Sequence, residues 1–372
     1  MENNEKPEVA IYDLTNDSGW NDLHTSLLKH PHLIHLADWH ISQPKEQIKE
    51  ALERNLILDT LPEFVKGIEK IKETKAYFAS KSKPYLFPKT ISTDWNTACA
   101  VEFPWRTGEG RYVILPKKEA FLFLTTSRNQ MLIPDKAQKA FQTLKVGFAG
   151  AGVGSSLLEG VVRAGVQNVV IADGGDISFH DLNRLQSPTV TSVGQNHAIH
   201  AAQKALEANP FLHIKCIAQN LGETETDTTV SIDSFLDGLA IVFEEVDNVA
   251  IKIAIREQAR KRGIPVIMAT DIGFGTIIEF QKGEIDAPIF PLLSDADKQK
   301  LKENKNMSLS DKTAIAVKMV GEEANYWQGG VANGLTFWSQ TGAAADASKA
   351  KAVETLVKWI MGEDIPTKQT YL

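Results

Sequence analysis

With 372 residues, 43% hydrophobic and 23% charged, the chain is long enough for two domains that each bury a core. Its 47 acidic and 40 basic side chains give a formal charge of −7, which argues against a broad nucleic-acid surface because phosphate binding rests on clustered cations. No uncharged apolar run approaches the ~18 residues of a membrane span. The start MENNEKPEVAIYD lacks the basic-then-apolar layout of a secretory signal, so a cytoplasmic protein is expected, with no membrane partner.

Residues 1 to about 115 form one compositional block, holding four of the seven tryptophans (Trp20, Trp39, Trp95, Trp105). Five of the nine histidines (His24, His30, His32, His35, His40) crowd into seventeen residues, where an interface or surface role outweighs a metal site. Two helical faces are expected, one on Ile48, Leu52, Leu56 and Leu58, the other on Phe64, Val65, Ile68 and Ile71. Pro84, Pro88 and Pro104 punctuate the rest of the block, and residues 111–116 and 120–125 read as short strands.

From Lys145 the pattern alternates between strand and helix, which predicts a parallel sheet with crossover helices. Strands are expected at 145–149, 169–172, 212–218, 240–245 and 265–269, and helices at 155–164, 195–208 and 248–262. TIIEF (276–280) reads as one more strand, 292–313 as a polar loop and 343–361 as a helix. The expected fold is α/β: a Rossmann-like, doubly wound, mostly parallel sheet over 116–372, with a smaller α+β N-terminal domain over 1–115. Cys99 and Cys216 are too few for a disulfide framework or a cysteine-built zinc site, and Cys216 reads as a buried thiol on a strand.

The first strand of this alternating region runs into Ala149-Gly-Ala-Gly-Val-Gly-Ser155 and then a helix. Gly150, Gly152 and Gly154 let the backbone turn tightly and approach a phosphate, whose charge the helix N-terminus favours; Ser155 closes the turn. About 20 residues on, Asp173 ends the second strand, where a carboxylate accepts both ribose hydroxyls. That pair fits NAD and ATP equally. Asp181-Leu-Asn-Arg184 then plants an arginine beyond the second strand, which suits adenylation because the pyrophosphate leaving group needs its charge neutralised. The fourth strand delivers Glu244-Glu245-Val246-Asp247 at its carboxyl end. Asp247 suits Mg2+ bridging phosphates, the N-cap of helix 248–262, or both, and alternation lets at most one of Glu244 and Glu245 face the site.

AGAGVGSSLLEGVVRAGVQNVVIAD, DLNRLQSP with VGQN, and EEVDN followed by RGIPVIMA together resemble the ThiF/E1 superfamily of adenylating enzymes, over about 120–372. The resemblance implies ATP and Mg2+ as cofactors and a homodimer. It also implies that Asp173 binds ribose, Arg184 binds phosphates and Asp247 binds the metal. Arg128 resembles the family's N-terminal arginine, which reaches into a nucleotide site, often the partner's. Asp181 stands where an asparagine is expected among the nucleotide contacts, and His197 where a lysine touches the phosphates. A neutral His197 would supply a hydrogen bond but less charge. Lys252 replaces an expected arginine, and the CxxC pairs of many relatives do not occur after residue 280.

No cysteine follows Phe274, the region where relatives that transfer ubiquitin-like proteins form a thioester. The resemblance therefore points to direct use of the acyl-adenylate and to the branch that modifies ribosomal peptides, with residues 1–115 as a leader-peptide clamp. Glutamate side chains of a precursor peptide are the expected carboxylates. Asp271 is a further candidate for substrate contact just past the fifth strand. Lysines 298, 300, 302, 305 and 312 read as a solvated loop, or alternatively a mobile cover that steers an acidic peptide. The stretch from Thr341 to Ala347 reads as tight helix packing at a dimer contact. Two rival functions remain: a non-catalytic E1-like scaffold and an NAD-dependent oxidoreductase.

Overall fold

The computed structural model describes residues 8–14, 16–29, 57–80, 98–106, 110–286, 289–303 and 307–372. Two compact units divide the chain, Pro7–Asn129 and Gln130–Leu372. His30 to His40, Trp39, Trp95, Pro84, Pro88, Lys305 and the apolar pattern over 48–56 lie outside the described residues.

The first unit runs β1 (Ala10–Asp13), α1 (Asp17–Leu28), β2 (Leu58–Asp59), α2 (Leu61–Ser80), β3 (Ala98–Glu102), β4 (Tyr112–Pro116) and α3 (Lys118–Thr125). Its sheet has the order β1-β3-β4-β2. Helix α2 buries Leu61, Phe64, Ile68 and Ile71 at helical spacing while Val65 stays half-exposed. Glu102, buried on β3, takes Arg111 at 2.8 Å, Ser26 Oγ at 2.7 Å and the Tyr12 hydroxyl at 2.8 Å. Cys99 is buried on the same strand, and burial pushes its thiol up to about 12. The strand expected at 120–125 is instead helix α3. A four-residue apolar run suits either state. Here β4 already pairs with β3 on one side and β2 on the other, and Leu124 packs onto Gly67 of α2 instead.

The second unit opens with α4 (Asp135–Ala140), β5 (Lys145–Ala149), α5 (Val153–Ala164), β6 (Asn168–Ala172), α6 (His197–Ala208) and β7 (His213–Ile217). A small pair, β8 (Asn220–Gly222) and β9 (Thr229–Ser231), leads through α7 (Ile232–Leu236) to β10 (Ile241–Glu244). Beyond it come α8 (Val249–Lys261), β11 (Val266–Ile272), β12 (Gly275–Gln281), α9 (Asp295–Glu303), α10 (Leu309–Val320), α11 (Asn325–Ala332), α12 (Gly342–Met361) and β13 (Lys368–Tyr371).

The large sheet has the order β7-β6-β5-β10-β11-β12-β13. The five strands from β7 to β11 are parallel, and β12 and β13 join antiparallel. The chain winds outward from β5 to β7, then returns to build β10 onward on the other side of β5. This is the doubly wound α/β fold, with its order reversing between β5 and β10. Phe148 of β5 stacks on Phe243 of β10 at 5.0 Å, so the switch point is packed below the crevice. Helices α7 and α8 share one core with β5, β6 and β10, while α12 packs on β11, β12 and α5. Cys216 is only half-buried on β7, because that strand is the sheet's edge.

The loop expected over 292–313 is largely helical: α9 fills its middle and α10 starts at Leu309. Ser294 caps α9, its hydroxyl accepting the Asp297 N–H while Asp297 accepts Ser294. Leu293 and Leu301 are the apolar anchors, too few to write a periodic face into so charged a segment. Lys298 pairs with Asp295 rather than standing in a loop. Among the described residues no helix is long and apolar enough to cross a membrane.

Candidate functional site

Strand β5 ends at Ala149, and the next residue turns the chain with φ +96° at Gly150. A Cβ there would meet the Glu245 carbonyl oxygen at 2.7 Å, so only glycine fits where β10's extension passes. The turn delivers Gly152 to the N-cap of α5 with open space where its Cβ would be, and Gly154 lies against Glu245. Ser155 turns its hydroxyl back to the Gly152 carbonyl at 2.7 Å. The first N–H groups of α5 are thus presented at the crevice between β5 and β10, where open α/β sheets bind ligands and where an anion is favoured.

Asp173, just past β6, accepts Ala151 N–H at 2.6 Å and Gly175 N–H at 2.7 Å. It therefore braces the glycine turn as well as bordering the crevice. Burial would raise its pKa, but His197 and these two N–H groups hold it below the usual carboxylate range. Asn196 caps α6 by accepting Ala198 and Ile199 N–H, and its amide donates to the carbonyls of Asp173 and Gly175. That cap places His197 at the helix start, with Nδ1 3.8 Å from Asp173 and Nε2 3.3 Å from Asp181.

Burial alone would favour the neutral ring, yet the two flanking carboxylates lift the His197 pKa above its ordinary value. The sequence led to a neutral ring; the surroundings shift His197 toward the imidazolium, because both ring nitrogens face carboxylates. Asp181 is buried and fully engaged, accepting Ser178 N–H and hydroxyl, Arg184 Nη2 at 2.8 Å and His197. Its pKa, which burial would raise, is held low by Ser178, Arg184 and His197. Arg184, at the end of the single-turn helix Phe179–Asn183, also donates to the His180 carbonyl at 2.7 Å. Asp181 therefore aligns two basic side chains, Arg184 and His197, on one side of the crevice.

On the other side, Asp247 is exposed at the end of the segment that extends β10. The cap of α8 is Asn248, which accepts Ala250 and Ile251 N–H; the capping alternative for Asp247 does not hold, and its carboxylate stays available. Glu244 and Glu245 part as alternation requires. Glu244 is fully buried and takes Lys252 at 2.8 Å and Arg256 at 3.4 Å. Glu245 reaches Ala269 N–H at 2.7 Å, and burial holds its carboxyl well above the usual range.

Asp271 lies within β11 rather than past it, 4% exposed. Burial lifts its carboxyl to about 6 against Gln340, which donates at 3.1 Å, and Arg184; Asp247 pushes the same way as burial. Asn183 in turn donates to the Gln340 carbonyl at 3.0 Å, and Thr341, the N-cap of α12, donates to the Gly273 carbonyl. Gln340 was not foreseen in the sequence: it binds Asp271 from 69 positions away, outside any motif. Arg128 sits on the turn Ser127–Asn129 of the first unit.

The chain is 33% identical over 201 residues to an uncharacterized protein of Mycobacterium tuberculosis (strain CDC 1551 / Oshkosh), covering 54% of this chain but 27% of that one. It is 25% identical over 200 residues to the tRNA threonylcarbamoyladenosine dehydratase of Bacillus subtilis (strain 168), covering 52% of this chain and 76% of the relative. Among solved structures, PaaA is similar at 17% identity and a TM-score of 0.46, over 68% of this chain and 76% of that one. A model described as the ThiF family matches residues 126–322, more than half of the 372, a span that includes the glycine turn, Asp173, Arg184 and Asp247: the chain belongs to the ThiF family.

Proposed function

We propose that this protein uses ATP to adenylate a carboxylate and passes the acyl group directly to a nucleophile. In this reading the N-terminus of α5 takes the phosphates, Asp173 the ribose, and Arg184 with His197 the charge that develops as pyrophosphate leaves. The observation that carries the reading is the convergence of Arg184 and His197 on Asp181, beside the glycine turn that Asp173 braces at the switch point. A dinucleotide oxidoreductase has no use for that set. Magnesium fits the residues present, since Asp247 offers a free carboxylate and that ion takes one or two carboxylates plus substrate phosphates. Bound there, it would neutralise phosphate charge.

The carboxylate belongs to a peptide or small protein, with glutamate side chains of a ribosomal precursor peptide as the first candidates. The chain's two cysteines, Cys99 and Cys216, both lie before Phe274, which supports transfer without a thioester relay. The first unit, Pro7–Asn129, would hold the peptide, and Arg128 would complete phosphate binding in a homodimer. The Bacillus relative's name places its substrate on tRNA; a net charge of −7 favours a peptide here.

ATP–pyrophosphate exchange with glutamate-containing peptides tests the reading. Exchange that depends on peptide is expected, and Arg184→Ala should reduce it roughly 100-fold or more. ATP binding without exchange on any peptide would make the protein a scaffold, and NAD binding in place of ATP would make it an oxidoreductase.

A further inference from the structure

The Asp271 carboxylate is buried, and only half of it is used. Oδ1 accepts Gln340 Nε2, while Oδ2 has no hydrogen-bond partner. Leaving a buried carboxylate oxygen unpaired is costly, so a ligand that supplies the missing partner is expected in the working state.

Strand register indicates which ligand. Parallel β10 and β11 pair Val242 with Val266 and Phe243 with Ile267. The same register, continued past the end of β10, sets Glu245 beside Ala269, and there the Glu245 carboxylate accepts the Ala269 N–H. Two residues further it brings Asp247 to the level of Asp271, and the charge of Asp247 acts on the Asp271 carboxyl. Two carboxylates thus stand at one level at the carboxyl ends of adjacent strands, one exposed and one buried with an unpaired oxygen.

The support for Asp271 is independent of Asp247. Gln340 holds its first oxygen, Asn183 holds Gln340, and Gly342 packs against the Asn183 carbonyl and the Arg184 Cα. The turn that carries Arg184 and the strand that carries Asp271 are therefore tied to the same short stretch before α12.

We propose that Asp271 is a second protein ligand, alongside Asp247, for the divalent cation that accompanies the nucleotide. The inference rests on the ATP reading above and adds to it a ligand from β11. Two carboxylates leave the remaining positions of an octahedral ion to phosphate oxygens and water, the arrangement magnesium favours.

The probes are Mn2+ and α,β-methylene-ATP, titrated together by calorimetry and by electron paramagnetic resonance. In the wild type, Mn2+ should bind with the analogue, and Asp271→Asn and Asp247→Asn should each weaken it roughly tenfold or more. Metal-free binding of the analogue should not weaken in Asp271→Asn, because the change removes a negative charge beside the phosphate site. Asp271→Cys should lose Mn2+ but bind Cd2+ with the analogue, since a thiolate prefers the softer ion. In wild-type protein labelled with 13C-aspartate, the Mn2+ spectrum should show couplings to two carboxylates, a readout that needs no variant to fold. A single coupled carboxylate, or an Asp271→Asn variant that binds Mn2+ within twofold of wild type, overturns the inference and leaves the ATP reading standing. A wild type that binds no nucleotide overturns both.

Discussion

His197 stands between Asp173 and Asp181 at the start of α6, and its charge varies with pH where that of a lysine would not. Both carboxylates raise its pKa against the effect of burial. Linkage sets the sign: stability from a raised histidine is fully present below the ordinary value of about 6.5 and is lost as pH rises through the folded-state value. Asp173 and Asp181 are shifted down, so their contribution is present above the ordinary carboxylate range and lost on acidification. The three groups are therefore most stabilising in the window where both aspartates are ionised and the histidine is protonated. A triphosphate bound as proposed would add to the preference for imidazolium. ATP affinity should fall as pH rises through the His197 pKa, and His197→Lys should flatten that dependence over the same range. Calorimetric titration of ATP across pH checks both, and a pH-independent affinity in the wild type would remove His197 from phosphate binding. The family resemblance placed a histidine where a lysine is expected, but did not imply that two acids would enclose it, because Asp181 arrives from a turn sixteen residues earlier.

At the scale of elements, the glycine turn was legible because its requirement is local. Gly150 needs φ +96°, and its Cβ position is blocked by the Glu245 carbonyl oxygen at 2.7 Å. Gly150→Ala should therefore destabilise the protein by roughly 1–3 kcal/mol from backbone strain alone, read as a shift in urea midpoint at constant slope. The cap of α8 gives a milder contrast. Asn248→Ala removes an acceptor for two N–H groups and should cost about 1 kcal/mol. Because it leaves the Asp247 side chain in place, it should spare ATP binding more than Asp247→Ala does, which a parallel nucleotide titration would show. Strands β5, β6, β10 and β11 and helices α5, α6, α8 and α12 announced themselves by alternating apolar runs and periodic faces. Helix α3 did not, because residues 121–124 are all half-buried and carry no face. Helix α9 did not either, because two leucines and a serine cap hold it in an otherwise charged stretch.

Across the whole second unit, the doubly wound topology could be expected from the order of elements, whereas the charges buried beneath the crevice could not. Glu244 of β10 binds Lys252 and Arg256 of α8, and Arg256 continues to Glu279 of β12 at 3.5 Å while its guanidinium lies over Phe290. The network spans from the switch-point strand to β12, two strands away in the sheet, and its members are separated in sequence by up to 35 positions. Nothing local marks such a set; Glu244 read as one of two carboxylates at a strand end. Energetically, each ion loses hydration and regains it only through its partners, so removing one leaves the others uncompensated. Glu244→Leu should cost about 3–5 kcal/mol, with Arg256 and Lys252 left facing a single buried acid. Replacing Glu244, Lys252, Arg256 and Glu279 together by apolar residues of similar volume should cost less than that single change. The strong non-additivity expected of coupled sites would then appear in denaturant unfolding of the single and combined variants. If the single changes instead sum to the combined one, the four charges act separately and do not tie β10 to β12.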